Sequence, residues 1–356
     1  PESITLIRLE GRLFQGLEMF SEVEKFYTEQ LERYPENPLL FLDRAKMHWR
    51  ISNYEHALKD VKKSISLNSD LFEAHYLKGI ILGRKTDPEN PEFLNWALEA
   101  LISASQINST NSDLWMRISD LWQRKGESNK ARLAMLRAVE LSPESNLYLR
   151  RYAILLEKEL DETVRQNSAE ISESLHKTLK HMLKLFPNDS WVHAHYGNWA
   201  WTKQNYALAE IHLQRSLELQ DEYPWASFRL GVVYFSQEKW ERALEFFEDG
   251  LRHEPDNAWA IQQTGLILEK LGHNEEAISR YEWLMKNAQA NLFIVNRLNS
   301  VYWDEFLFEK GENTLLRGLE KFPGQTELVD KLISYYESRG LFEKASDILE
   351  SFVEKN

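Results

Sequence analysis

The sequence predicts an all-α solenoid of about ten stacked helix–turn–helix hairpins. Three observations predict it. Residues of matching size recur 34 positions apart along most of the chain. Apolar residues within each unit are spaced by three and four, which aligns them on one face of a helix. The 356 residues include only 10 Pro and 14 Gly with a hydrophobic fraction of 43%, so most of the chain can be helical and well packed. A chain too long for one ordinary core can then bury its apolar surface by growing it unit by unit along an axis.

Residues 224–257 define the unit most clearly, with Leu230, Gly231, Tyr234, Ala243, Phe247, Gly250 and Pro255. Thirty-four residues later stand Gly265, Leu268, Ala277, Tyr281 and Leu284; thirty-four earlier stand Gly197, Ala200, Ala209, Leu213 and Ser216. The frame extends both ways as repeats 4–37, 38–71, 72–111, 112–145, 146–189, 190–223, 224–257, 258–291, 292–325 and 326–356 in a single array over 1–356. The third repeat is six residues too long, with its surplus near 85–95, and the fifth is ten too long, with its surplus around 157–173. The last is cut short.

The eighth position is small at Gly11, Ala45, Gly79, Ser119, Ala153, Gly197, Gly231 and Gly265. The twentieth is Ala at 57, 97, 131, 209, 243, 277 and 345, and the thirty-second is Pro at 35, 143, 187, 255 and 323. This pattern resembles the tetratricopeptide repeat family over essentially the whole chain, and the resemblance implies a right-handed superhelix. Asn299 and Ile333 depart from the small eighth residue, and Val23, Leu175 and Gly311 from the alanine, so looser packing is expected there. The physics agrees with the pattern. A small residue on the first helix (A) facing a small one on the second (B) lets the backbones approach, while large neighbours such as Leu230, Tyr234 and Phe247 interdigitate. Pro near the end of helix B stops it, and the adjoining Asn or Asp suits the next cap.

Composition narrows the function. A formal net charge of -13 disfavours a general nucleic-acid or membrane-surface binder, leaving room only for a local basic groove. Without Cys there is no disulfide framework, thiolate nucleophile or Cys-ligated zinc. No apolar run reaches the ~18 residues of a membrane span. No signal peptide is visible, and a start at Pro1 without Met implies that an N-terminal segment was removed, so the compartment stays open. GxxxxGK[ST], GxSxG, HExxH and GxGxxG are all missing, so no catalytic residue, cofactor or metal is assigned and the chain is read as a non-enzyme. His193 and His195 are two apart on a helix and His176 and His181 five apart, both poor chelating spacings. Asn108 and Asn188 begin glycosylation triplets of a kind common by chance, and helical acids such as Glu238, Glu241 and Glu245 read as a solvated face.

In the resembling family the A helices line a concave groove, chiefly through positions two, five, six, nine and twelve. Position two runs Trp191, Trp225, Trp259, Phe293; position six runs Arg117, Arg151, His195, Arg229, Gln263, Arg297, Lys331; position twelve adds Trp201, Phe235 and Trp303. Across repeats six to nine these rows hold one acid, Glu269. With Asn198, Phe228 and Asn296 they give the candidate partner-binding set: Trp191, His195, Asn198, Trp201, Trp225, Phe228, Arg229, Trp259, Gln263, Phe293, Asn296 and Arg297. Aromatics beside a single-sign row suit a protein or peptide with acidic groups, held chiefly by repeats five to nine. The aromatic ladder has a second reading, in which each ring packs on the next repeat. The family's clamp for a C-terminal carboxylate is not supported, because its N-terminal positions here are Arg8, Arg12, Asp43, Glu73 and Leu77.

The last repeat has no polar capping helix, so Leu349, Phe352 and Val353 call for further chain beyond Asn356, a partner or an end-to-end oligomer. Two other functions fit: the regulatory array of a larger enzyme or secretion or assembly machine, and an RNA-processing factor, since repeat four looks like the half-a-tetratricopeptide repeats of such proteins.

Overall fold

The computed structural model describes residues 4–16, 19–84, 92–162, 168–287, 289 and 291–355. The surplus segments expected near 85–95 and 157–173 therefore fall partly outside the described residues. Those residues form twenty α-helices and no strand. The chain divides into two compact units, Pro1–Leu185 and Phe186–Asn356. The first holds α1 (Ile4–Gly16), α2 (Phe20–Arg33), α3 (Pro38–Arg50), α4 (Tyr54–Leu67), α5 (Phe72–Arg84), α6 (Glu92–Ile107), α7 (Ser112–Arg124), α8 (Ser128–Leu141), α9 (Asn146–Glu162) and α10 (Ser168–Leu185). The second holds α11 (Ser190–Thr202), α12 (Tyr206–Leu219), α13 (Pro224–Ser236), α14 (Trp240–His253), α15 (Ala258–Lys270), α16 (Asn274–Lys286), α17 (Leu292–Asp304), α18 (Phe308–Lys321), α19 (Thr326–Ser338) and α20 (Phe342–Lys355). Within each unit every helix packs on the next, and A helices also touch A helices, as α3 does α5 and α11 does α13. This is an α-solenoid of helical hairpins.

The caps explain where the A helices begin. Asn37 Oδ1 accepts from the amides of Leu39 and Leu40, Asn111 from Leu114, Asp189 from Trp191, Asn257 from Ala260 and Asn291 from Ile294. Each satisfies a donor that the first helical turn leaves open. The turn from A to B uses one left-handed residue: Ser52, Gly126, Gln204, Glu238, Gly272, Phe306 or Gly340. Phe306 is the unusual member, a bulky residue at φ +60 whose ring is 78% exposed.

The small-residue contact sits at the centre of each hairpin. A methyl group on Gly231 would lie 2.8 Å from Phe247 Cδ2 and 3.3 Å from the Ala243 carbonyl oxygen. Where the pattern departs from small-against-small, bulk is redistributed. Buried Val23 faces the helix of Gly11, buried Leu175 that of Ala153, and Gly311 makes room for buried Asn299. The looser packing expected at these repeats is seen: the helices of the hairpins α1–α2, α9–α10, α17–α18 and α19–α20 pack less closely on each other than those of the hairpins that keep the small pair. Repeats are joined by buried tyrosines that reach back to the preceding B helix: Tyr234 Oη donates to Glu210 at 2.8 Å and Tyr336 Oη to Glu312 at 2.7 Å. At the end of the second unit Leu349 and Val353 are exposed and Phe352 is half-buried.

Gly231→Ala is expected to lower stability by about 1–3 kcal/mol through overpacking, and Phe247→Leu in the same chain to restore part of it, both read from thermal melts. Phe306→Gly is expected to raise stability by about 0.5–1 kcal/mol by removing left-handed strain, again read from the melting midpoint.

Candidate functional site

The second unit presents the twelve sequence-selected residues on its A helices, and it sorts them into distinct environments. Trp191, one turn before His195 on α11, stacks on the imidazole with ring centroids 3.7 Å apart. The other face of His195 meets Trp225 of α13 at 4.5 Å and 16°. The Arg229 guanidinium, one turn further on, lies 5.0 Å from the Trp225 ring centroid. The four form a continuous stack across two repeats. His195 is left 7% exposed and the two indoles are half-buried. Such a stack holds neighbouring A helices in register through ring–ring and cation–π attraction.

The ladder changes character beyond that stack. Phe228 is 5% exposed, lying against Gly250, where a Cβ would come within 2.8 Å of its Cζ. It supports Trp259 edge-on at 6.0 Å, and Phe247 lies 5.5 Å from the same indole. Trp259 itself is 44% exposed and Phe293 is 41% exposed. Trp201 is tied down, its Nε1 donating to Ser236 Oγ at 3.0 Å. Asn198 Oδ1 is buried with no hydrogen-bond donor among the described residues, and Gln263 is half-buried.

The cationic row proves to be compensated. Arg297 forms an ion pair with Glu269, the one acid counted in these rows, its Nε lying 3.2 Å from Oε1. Lys331 Nζ donates to Glu327 at 2.9 Å and to Asn296 Oδ1 at 2.6 Å. In the first unit Arg117 pairs with Asp113 at 2.8 Å and Arg151 with Asp120 at 2.6 Å. The row is single-signed in sequence, but its acids come from the same helix one turn away or from the preceding A helix. The clamp positions behave likewise, Asp43 accepting Arg8 Nε at 2.6 Å.

A cavity of about 500 Å³ opens between α17 and α19, lined by Asn296, Trp303, Asp304, Glu327, Asp330 and Lys331 among others. Its acidic residues were not singled out in the sequence, because Glu327 and Asp330 stand on the repeat after those whose rows were compared and Asp304 stands at position thirteen, outside those rows. Spacing within one helix also missed a histidine pair. His193 Nδ1 lies 3.0 Å from His212 Nδ1 across the α11–α12 hairpin, and His193 Nε2 lies 3.0 Å from the Pro187 carbonyl oxygen. Burial, then the neighbouring His193, pushes His212 down from 6.5 to about 4. Among the described residues no cluster of three His, Asp or Glu is placed to hold a metal, and no helix is long and apolar enough to cross a membrane.

The tetratricopeptide repeat family model matches residues 224–257, the hairpin of α13 and α14. Residues 224–257 are a tetratricopeptide repeat. The chain is 25% identical over 276 residues to the human protein O-mannosyl-transferase TMTC3, covering 76% of this chain and 28% of that protein. It is 21% identical over 298 residues to human Superkiller complex protein 3, covering 80% of this chain and 18% of that protein. The chain thus spans under a third of the length of either relative. The crystal structure of the C-terminal part of a TPR repeat-containing protein from Cytophaga hutchinsonii matches it with a TM-score of 0.56 at 15% identity, covering 71% of this chain and 98% of that one. Tetratricopeptide repeat proteins are in general scaffolds that bind proteins or peptides, and the repeat fold is typically not itself a catalyst.

The histidine pair sets an acid sensitivity. Because the folded His212 holds its proton less tightly than the unfolded chain, unfolding takes up protons between pH 6.5 and about 4, and stability falls as pH falls through that window. The loss is at most about 3 kcal/mol. His212→Leu is expected to flatten this part of the stability–pH curve, measured by urea titrations at a series of pH values.

Proposed function

We propose that this tetratricopeptide repeat protein is a binding scaffold whose partner protein or peptide lies along the A helices of repeats six to nine, beside Trp225 and across Trp259 and Phe293. The observation that carries the reading is the exposure of Trp259 and Phe293, at 44% and 41%, in the register where Trp191 and Trp225 are half-buried. Large aromatics supported from beneath, as Trp259 is by Phe228 and Phe247, supply rigid apolar area at small entropic cost and are the residue types that dominate binding energy. The ladder supports the stack as a structural spine at Trp191–His195–Trp225 and the contact surface from Trp259 onward, with the approaching partner flanked by Arg229, Gln263, Asn296 and Arg297. Repeat five, included in the sequence-based groove, is left out because α9 and α10 belong to the first unit. Since Arg297 and Lys331 already hold carboxylates, this face recruits by aromatic area more than by net charge. The same reading takes repeats 4–37 through 326–356 as one array and assigns the chain no catalysis of its own.

A second reading, a regulatory array within a larger enzyme or assembly, is favoured by one observation: the relatives it matches are several times longer, and one is a transferase.

The double variant Trp259→Ala/Phe293→Ala is expected to keep its helical content and a cooperative melt, since each ring leaves more than two-fifths of its surface in solvent. It should lose the proteins captured by the parent in an affinity pull-down read by mass spectrometry. Capture of the same proteins at undiminished yield by the folded variant refutes the assignment.

A further inference from the structure

The cavity of about 500 Å³ between α17 and α19 lies where the aromatic ladder ends. Position two, aromatic in repeats six to nine, becomes Glu327 in repeat ten, and position five becomes Asp330. Asp304 adds a third carboxylate from the end of α17, and Lys331 is the one cation among the lining residues. The inner rows of repeats six to nine hold only Glu269, itself bound by Arg297. The acid at this cavity is therefore a local concentration and not an even share of the chain's net charge of -13.

Two of the carboxylates are open. Lys331 is taken up by Glu327 and Asn296. Asp304 and Asp330 are exposed and have neither an ion pair nor a hydrogen bond among the described residues, which run without a gap from 291 to 353. Nearby cations are engaged elsewhere: Arg297 by Glu269, Lys310 over the Tyr302 ring, and Arg339 over the rings of Phe308 and Tyr335. The wall of the cavity is polar and unsatisfied as well. Asn299 lines it at 6% exposure, and its Oδ1 has no donor among the described residues, just as the Trp303 indole N–H has no acceptor. A buried amide oxygen without a donor is costly, and an amide turns readily about its last bond to meet one. Phe308 and Tyr335 hold Trp303 edge-on, at 5.7 and 5.5 Å between ring centroids, so its indole is a fixed apolar wall.

We infer that this cavity receives a lysine or arginine side chain of the bound peptide. The aliphatic stem lies along Trp303, and the charged head meets Asp304 and Asp330 and donates to the Asn299 amide oxygen. A metal ion is the wrong occupant. Among the described residues no three acids or histidines converge to hold one, so these carboxylates stand around a larger cation. That the cation belongs to a peptide rests on the proposed binding along the A helices; that the cavity selects positive charge does not.

The test is fluorescence anisotropy of the full chain with labelled hexalysine, and with the same peptide acetylated on every side chain, at low and physiological salt. Hexalysine is expected to bind, with affinity falling as salt rises, and the acetylated peptide to bind at least about tenfold more weakly. An acidic chain attracts any polycation, so the variants decide. Asp304→Asn/Asp330→Asn is expected to weaken hexalysine by at least about tenfold. Glu241→Gln/Glu245→Gln removes the same charge from exposed positions on α14 and is expected to change it by less than about twofold. Ser334→Phe, which fills the cavity from an exposed position without changing charge, is expected to weaken hexalysine comparably to the Asp304/Asp330 variant while keeping the parent's helical content. Trp259→Ala/Phe293→Ala should leave hexalysine binding unchanged, so this cavity and the aromatic face stand or fall separately. The inference is overturned if hexalysine does not bind at low salt, if the two charge-removing variants weaken it equally, or if folded Ser334→Phe binds it as tightly as the parent.

Discussion

Helix A and helix B of each hairpin approach through small residues, Gly197 against Ala209 and Gly231 against Ala243, and the room available there is under one methyl group. That close approach fixes the hairpin angle, and the angle decides how the next hairpin stacks. A single hairpin would leave half of its apolar stripe in water, so neither contact is stable alone. Where Val23, Leu175 and Asn299 depart from the small pair, the two helices of the hairpin pack less closely. Tyr234 and Tyr336 then carry the geometry from one repeat to the next by donating part-buried hydrogen bonds to Glu210 and Glu312.

Stacking of this kind puts equivalent positions of successive A helices side by side, which is why residues 34 apart can act together. In the second unit the register produces a stacked spine of Trp191, His195, Trp225 and Arg229, followed by the more open rings of Trp259 and Phe293. Beyond Phe293 the same register brings Asp304, Glu327 and Asp330 to one cavity.

The hairpins were legible in the sequence because their causes are local and repeated. The glycine, alanine and proline rows, the apolar spacing and the Asn caps each speak within one 34-residue window. Legibility stopped where an outcome depends on the neighbouring repeat. Phe228 at position five and Trp259 at position two were both read as groove residues, yet Gly250 lets Phe228 sink into the core while Trp259 stays at the surface. The cationic row looked uncompensated because counting within five positions cannot reveal that Glu269 meets Arg297 across a repeat boundary. The left-handed residue of the A-to-B turn was not read from the sequence at all, because glycine stands there only at Gly126, Gly272 and Gly340 while Ser52, Gln204, Glu238 and Phe306 fill the same place.

Hydrogen–deuterium exchange of the full chain, with and without the protein it captures, tests the central claim most directly. The expected result is slowed exchange concentrated in α13, α15 and α17, whose faces carry Trp225, Trp259 and Phe293, with α14, α16 and α18 unchanged. Protection centred on the B helices, with α15 and α17 unaffected, would contradict it.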